Sequence, residues 1–192
     1  MKKSVGAKTL LFPTPVMIIG TYAKDSNPNL MAVAWGGICN SKPPSVAISL
    51  REATYSYASI LEHNAFTVNI PSVDQVKEAD YTGLVSGREV NKFQELGLTA
   101  VKSDRVNAPY IEEFPLILEC AVEHTFKLGL HTQFVGEIKD IKADENVLGT
   151  TGLPDIEKVR PFCFAPGNQS YYAIGECIGQ AFSIGRREQI EF

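Results

Sequence analysis

The feature that most constrains this chain is a period-two alternation that keeps returning. In Ser45-Val-Ala-Ile-Ser-Leu-Arg51, Val46, Ile48 and Leu50 fall on one side and Ala47 and Ser49 on the other. Such a pattern makes a strand with one face in a core. Ala65 to Ile70 (AFTVNI) turns Phe66, Val68 and Ile70 inward in the same way. Leu116 to Lys127 (LILECAVEHTFK) puts Leu118, Cys120, Val122, His124 and Phe126 on one face. Val16 to Ala23 and the strand starting at Asn29 form a hairpin through the turn Lys24–Pro28. In the second of these strands Leu30, Ala32 and Ala34 alternate with Met31, Val33 and Trp35, so both faces are apolar and both are buried.

The remaining segments fit the same plan. Gly36-Gly37 reads as a bend where a flat ligand or another backbone can come close, and Lys42-Pro-Pro44 as a stiff corner. Ser72 caps a helix over Val73 to Tyr81. Thr82 to Leu98 is a polar connection with a helical turn or two ending at Gly97, and Thr99 to Pro115 is irregular. Gly129 turns the chain into a return strand, Thr132 to Ala143, whose imperfect alternation suits a bulged strand in a closed sheet. Two short apolar segments follow, Phe162 to Ala165 and Tyr171 to Gly175, then the glycine-punctuated stretch Ile178 to Gly185. Strand follows strand, with a helix inserted early, so the order predicts a mainly β chain: an antiparallel barrel with a few helices. No GxGxxG stands between a strand and a helix, which excludes a Rossmann site, and no internal repeat is visible.

The chemistry is concentrated where the Ser45–Arg51 strand gives way to the helical pattern Tyr57, Ile60, Leu61. Thr54 stands at the N-cap position. A helix N-terminus presents unpaired N–H groups and a positive dipole end, which suit a phosphate. Arg51 adds a fork that bonds two phosphate oxygens at once, and Thr54 and Ser56 can each donate a hydroxyl. Taken alone, the same residues also make an ordinary N-cap beside a surface arginine. Asn40 and Ser41 follow the glycine pair, and such small polar groups with main-chain N–H donors can meet the heteroatoms of a flat ring.

Composition narrows the classes. A chain of 192 residues is read as one domain, 1–192. A net charge of −4 and a pI near 5.4 argue against a nucleic-acid surface. There is no apolar run long enough for a membrane span, and no apolar region directly behind Lys2-Lys3 of the kind a signal peptide has. Cys39, Cys120, Cys163 and Cys177 form no CxxC or zinc spacing, and no resolving cysteine is spaced for Cys39. Cys120 and Cys163 read as core thiols, and a reducing cytoplasm is the expected setting. His63, His124 and His131 offer no metal triad.

In order along the chain, Asn29-Leu-Met-Ala-Val-Ala-Trp35, Lys42–Arg51, Thr54-Tyr-Ser56, Ser86-Gly87 with Lys92-Phe93, His131-Thr-Gln-Phe-Val-Gly-Glu137 and Ile178–Gly185 resemble the flavin reductase-like, FMN-binding split-barrel family, most closely its flavoredoxin group. No one of these motifs is specific; their order and spacing are. The resemblance implies a Greek-key split barrel, a homodimer and a bound FMN. It places Ala34, Trp35, Gly36, Asn40, Ser41, Ser49, Leu50, Arg51, Thr54, Ser56, Ser86, Gly87, Lys92 and His131 at the cofactor. It also implies a redox role in which FMN carries the chemistry and no protein residue acts as nucleophile or base. The donor is then either NADH or NADPH, as in a flavin reductase, or a redox protein such as a ferredoxin. Related reductases carry Gly-Asp-His at the turn beside the flavin, whereas this chain has Gly129-Leu-His131, which removes the acid partner of the imidazole and tips the balance towards electron transfer between proteins. A non-catalytic flavin-binding module is the alternative of another class.

Overall fold

The structure, a computed structural model, describes residues 1–186. Its first strands are β1 (Thr14–Pro15), β2 (Met17–Tyr22), β3 (Pro28–Val33), β4 (Gly36–Ser41) and β5 (Pro44–Arg51), followed by helix α1 (Tyr55–His63) and β6 (Ala65–Ile70). The middle holds α2 (Val76–Leu84), α3 (Lys92–Leu96), β7 (Ala100–Lys102) and β8 (Pro109–Ile111). The long hairpin β9 (Leu116–Leu128) and β10 (His131–Ala143) comes next, then α4 (Ile156–Val159), β11 (Phe162–Ala165) and β12 (Ser170–Ala173).

Seven strands form one antiparallel sheet in the order β3-β2-β6-β9-β10-β5-β4. The chain leaves β5 through α1 and returns as β6 beyond β9 and β10, a Greek-key crossing. The sheet curls until β3 touches β5. Its two edges, β3 and β4, are consecutive strands joined only by Ala34-Trp35, so the barrel is split along that seam.

The barrel interior holds Ile19, Ile48, Leu50, Phe66, Val68 and Phe134, each 1% exposed or less. A second core lies on the outer face of β2 and β3. There Ile18, Leu30, Phe93, Ile111, Phe114 and Phe162 pack beneath α2, α3 and the small sheet β1-β11-β12. Burial on both faces is what the doubly apolar strand from Asn29 calls for. Each such side chain contributes about 1.5–3 kcal/mol of transfer free energy.

Four expectations change. Gly36 and Gly37 are not a bend; they open β4 and pair with Ile48 and Ala47, and the turn lies at Ala34-Trp35. Gly36 lies so close to β5 and Met17 that a Cβ there would meet Met17 Cε at 2.7 Å, so the glycine allows close strand approach rather than chain reversal. Thr99 to Pro115 is not irregular throughout: β7 and β8 pair as a two-stranded sheet too short to show a period. The Val73–Tyr81 helix is a 3₁₀ turn at Val73–Gln75, held by a Ser72–Gln75 capping box, leading into α2, which takes in Thr82. His124 and Phe126 do not share the core face of Leu118 and Cys120. A register shift opposite Val135/Gly136 breaks the alternation, and Phe126 is 51% exposed.

No described helix is long and apolar enough to cross a membrane. The four cysteines are free: Cys120 is buried, Cys163 half-buried, Cys39 and Cys177 exposed. Burial and the neighbouring Glu119 hold the Cys120 thiol far above its ordinary pKa, so it is inert.

Candidate functional site

β5 ends at Arg51, and Thr54 takes the N-cap position of α1 with extended backbone (φ −74°, ψ 147°). Its hydroxyl does not cap the helix. It donates instead to the Arg51 carbonyl at 2.8 Å, and neither a side-chain cap nor an acidic residue serves the first turn. The Tyr57 N–H is bonded to the Thr54 carbonyl at 3.3 Å, so the Tyr55 and Ser56 N–H groups and the positive end of the helix are left to a ligand. Glu52, the acid nearest this corner, is paired with Lys127 at 2.8 Å.

A chamber of about 320 Å³ opens in front of that helix end. Its floor is Asn29–Ala32 of β3, one wall is Ala53–Ser56, the other is Thr82–Arg88, and Lys92 closes the back. The Asn29 amide nitrogen donates to Ser56 Oγ at 2.9 Å, with both residues buried. Gly87 packs on this pair. A Cβ at that position would strike the Asn29 amide oxygen and approach Tyr55 Cδ1 to 2.7 Å, so only glycine fits. Ser86 Oγ accepts from the Arg88 N–H at 3.2 Å, which shapes the loop. The Arg88 guanidinium lies 5.4 Å from the centroid of the Tyr55 ring and donates through Nη1 to the Ala53 carbonyl at 3.0 Å.

Lys92 is the least ordinary group here. It is 4% exposed, and its Nζ donates to the carbonyls of Leu30 (2.8 Å) and Thr82 (2.6 Å). Among the described residues no carboxylate pairs with it. An ammonium has three donors, so one remains. Burial lowers its pKa to about 8. A buried cation held only by neutral carbonyls is costly unless an anion joins it. With the uncapped helix end, the Ser56 hydroxyl, whose proton is still free to donate, and Arg88, the residues fit a phosphate monoester.

Of the residues expected from sequence, Thr54, Ser56, Ser86, Gly87 and Lys92 line this chamber together. Arg51 does not line the chamber: its side chain is exposed, two residues before the Ala53 wall, and its backbone pairs with His131, which the β9–β10 turn brings to the same corner. Ser49 donates its N–H to the Trp35 carbonyl at 2.8 Å, so Ala34, Trp35 and Gly36 run beside Ser49 and Leu50. The Leu50 side chain is in the core, which leaves only its backbone for a ligand. Asn40 and Ser41 are not brought to the corner. They pair with Ser45 and Pro44, at the opposite end of β5. At about 3.4 Å per residue, that is roughly 20 Å from Arg51. The Asn40 side chain bonds the Pro43 carbonyl of its own turn at 2.9 Å.

Sequence reading missed Asn29, Tyr55 and Arg88. A basic residue directly after Ser86-Gly87 was an available signal for the last. Nothing local marks Asn29, whose partner Ser56 lies 27 residues away. Among the described residues no cluster of three or more His, Cys, Asp or Glu side chains is arranged for a metal.

Residues 9–168 match the model of the flavin reductase-like domain family. The fold is similar to that of the flavoredoxin of Desulfovibrio vulgaris (Miyazaki F), at 54% identity and a TM-score of 0.93, over 97% of this chain and all of that one. It is also similar to a flavoredoxin from Methanosarcina acetivorans, at 32% identity and a TM-score of 0.91, over 97% and 98% of the two chains. An uncharacterised protein of Archaeoglobus fulgidus is 33% identical over 129 residues, 67% of this chain and 72% of that one.

Proposed function

Because this chain belongs to the flavin reductase-like domain family, we propose that it is an FMN-binding redox protein of the flavoredoxin kind, carrying electrons between a donor and a redox partner. The observation that carries the reading is Lys92: a buried ammonium with no carboxylate partner among the described residues, at the back of a chamber faced by an uncapped helix end. The likeness to two flavoredoxins supports FMN as the anion's owner.

When bound, FMN supplies the redox chemistry; the protein contributes binding, orientation and field. Lys92, the first turn of α1, Thr54, Ser56 and Arg51 hold the phosphate. Main-chain N–H groups along the Ala34–Gly36 link favour negative charge at the ring, and Trp35 offers an apolar wall. Asn40 and Ser41, roughly 20 Å from Arg51 at the far end of β5, do not belong to this set. No side chain is needed as nucleophile or general base.

Leu130 in place of an acid before His131 favours electron exchange with a protein over hydride transfer from a nicotinamide. Ile38, Phe126, Leu128 and Leu130 are all more than half exposed, which supports a homodimer covering that flank. A cytoplasmic setting fits four free thiols.

The test is an absorbance spectrum of the purified protein, then anaerobic titration with NADH, with NADPH and with a reduced ferredoxin. A flavin spectrum with slow nicotinamide reduction and fast exchange with the ferredoxin is expected. Rapid reduction by either nicotinamide assigns a flavin reductase instead. A colourless preparation that ignores added FMN rejects the reading.

A further inference from the structure

A second chamber, of about 290 Å³, adjoins the first. The two share Asn29, Tyr55, Gly87 and Arg88. Arg88 thus stands on the partition, stacked on Tyr55 and tethered to the Ala53 carbonyl. The two chambers differ in charge. The first has Lys92 and the helix end. The second is lined by Asp25 and Glu89, neither of which is paired with a cation among the described residues. Both Asp25 carboxylate oxygens accept from Asn27, Oδ1 from its main-chain N–H at 3.2 Å and Oδ2 from its side-chain amide at 2.6 Å, which keeps the carboxylate in place.

We propose that Arg88, with Asp25 and Glu89 beyond it, makes the site selective for a flavin mononucleotide over the dinucleotide. This rests on the FMN reading above and deepens it. A terminal phosphate carries close to two charges at neutral pH and ends in the first chamber. There Arg88 exchanges its bond to a neutral carbonyl for a charge-assisted one to phosphate, and the partition closes. In a dinucleotide the same phosphate is joined to a second one through an anhydride bond and carries one charge, and the chain must continue past Arg88. Its second phosphate then enters a chamber holding two carboxylates, where like charge opposes it. Selectivity comes from attraction on one side of the arginine and repulsion on the other.

The full chain, freed of flavin, is titrated with FMN, FAD and riboflavin by flavin fluorescence. The parent should bind FMN at least about tenfold more tightly than FAD, the scale of one like-charge contact. Arg88→Ala should weaken FMN by about tenfold to a hundredfold, a lost charge-assisted bond, and FAD by less, so the preference shrinks. Arg88→Lys should restore part of it. Asp25→Asn combined with Glu89→Gln should tighten FAD by about tenfold and FMN by clearly less, so the preference shrinks. Both residues of that pair are exposed, so the double variant keeps the test open if Arg88→Ala fails to fold. Equal affinity of the parent for FMN and FAD, or a double variant with unchanged FAD affinity, overturns the inference. A folded parent that binds none of the three flavins overturns the functional reading itself.

Discussion

β5 has two very different ends. At Arg51 it meets α1, the Gly87 loop and Lys92, and polar groups there are buried and bonded across long stretches of sequence. At Ser45 it meets β4, an edge strand whose last four residues are exposed, with Ile38 69% exposed and open space around Gly37. One end is dense and polar, the other open and exposed, so a buried anion site can form only at the first.

The contrast breaks or sharpens under four changes. The largest effect is expected from Gly87→Ala, which forces Asn29 and Tyr55 apart and so disturbs the whole dense end. FMN affinity should fall by about 2–4 kcal/mol, from overpacking plus a displaced buried hydrogen bond. A fluorescence titration within a factor of about three of the parent breaks the contrast. Arg51→Ala comes next, with a loss of about 1.5–3 kcal/mol for one charge-assisted contact; superimposable titration curves would remove Arg51 from the site.

Lys92 gives a pH signature. Its folded pKa, lowered by burial from 10.5 to about 8, means the folded chain releases this proton before the unfolded one does. Stability of the flavin-free protein should therefore rise with pH between about 8 and 10.5, because there the unfolded state binds more protons. FMN affinity should move the other way, falling by up to about tenfold from pH 7 to pH 9 as the ammonium is lost, while riboflavin affinity stays level. A flat FMN profile would mean that Lys92 faces no phosphate. The smallest effect belongs to the open end. Gly37→Ala places its Cβ where no atom lies within 4 Å, so thermal unfolding should shift by no more than about 0.5 kcal/mol of stability. A clear drop in Tm would show that β4 is packed after all.

What could be read from sequence follows the same division. β2, β3, β5, β6 and α1 were legible because alternation and an N-cap residue are local signals. β4 was not, since its glycines and exposed side chains leave no apolar period and Gly36-Gly37 imitates a bend. The face of Phe126 was misread because one extra residue in a bulge reverses the parity of everything after it. Thr54, Ser56, Ser86, Gly87 and Lys92 were found as types at expected places. What escaped was their assembly: the Asn29–Ser56 bond, the turning away of the Thr54 hydroxyl and the stacking of Arg88 on Tyr55 arise only when distant segments meet.

The short link Ala34-Trp35 limits how far the seam can widen. Three residue steps separate Val33 from Gly36, so at that point the two rims cannot part by more than roughly 10 Å. Nothing ties Pro28 to Ser41 in the same way. The two edges can separate only away from that link, towards Pro28 and Ser41, so the way the seam opens is set by how the chain is connected and not by any one side chain.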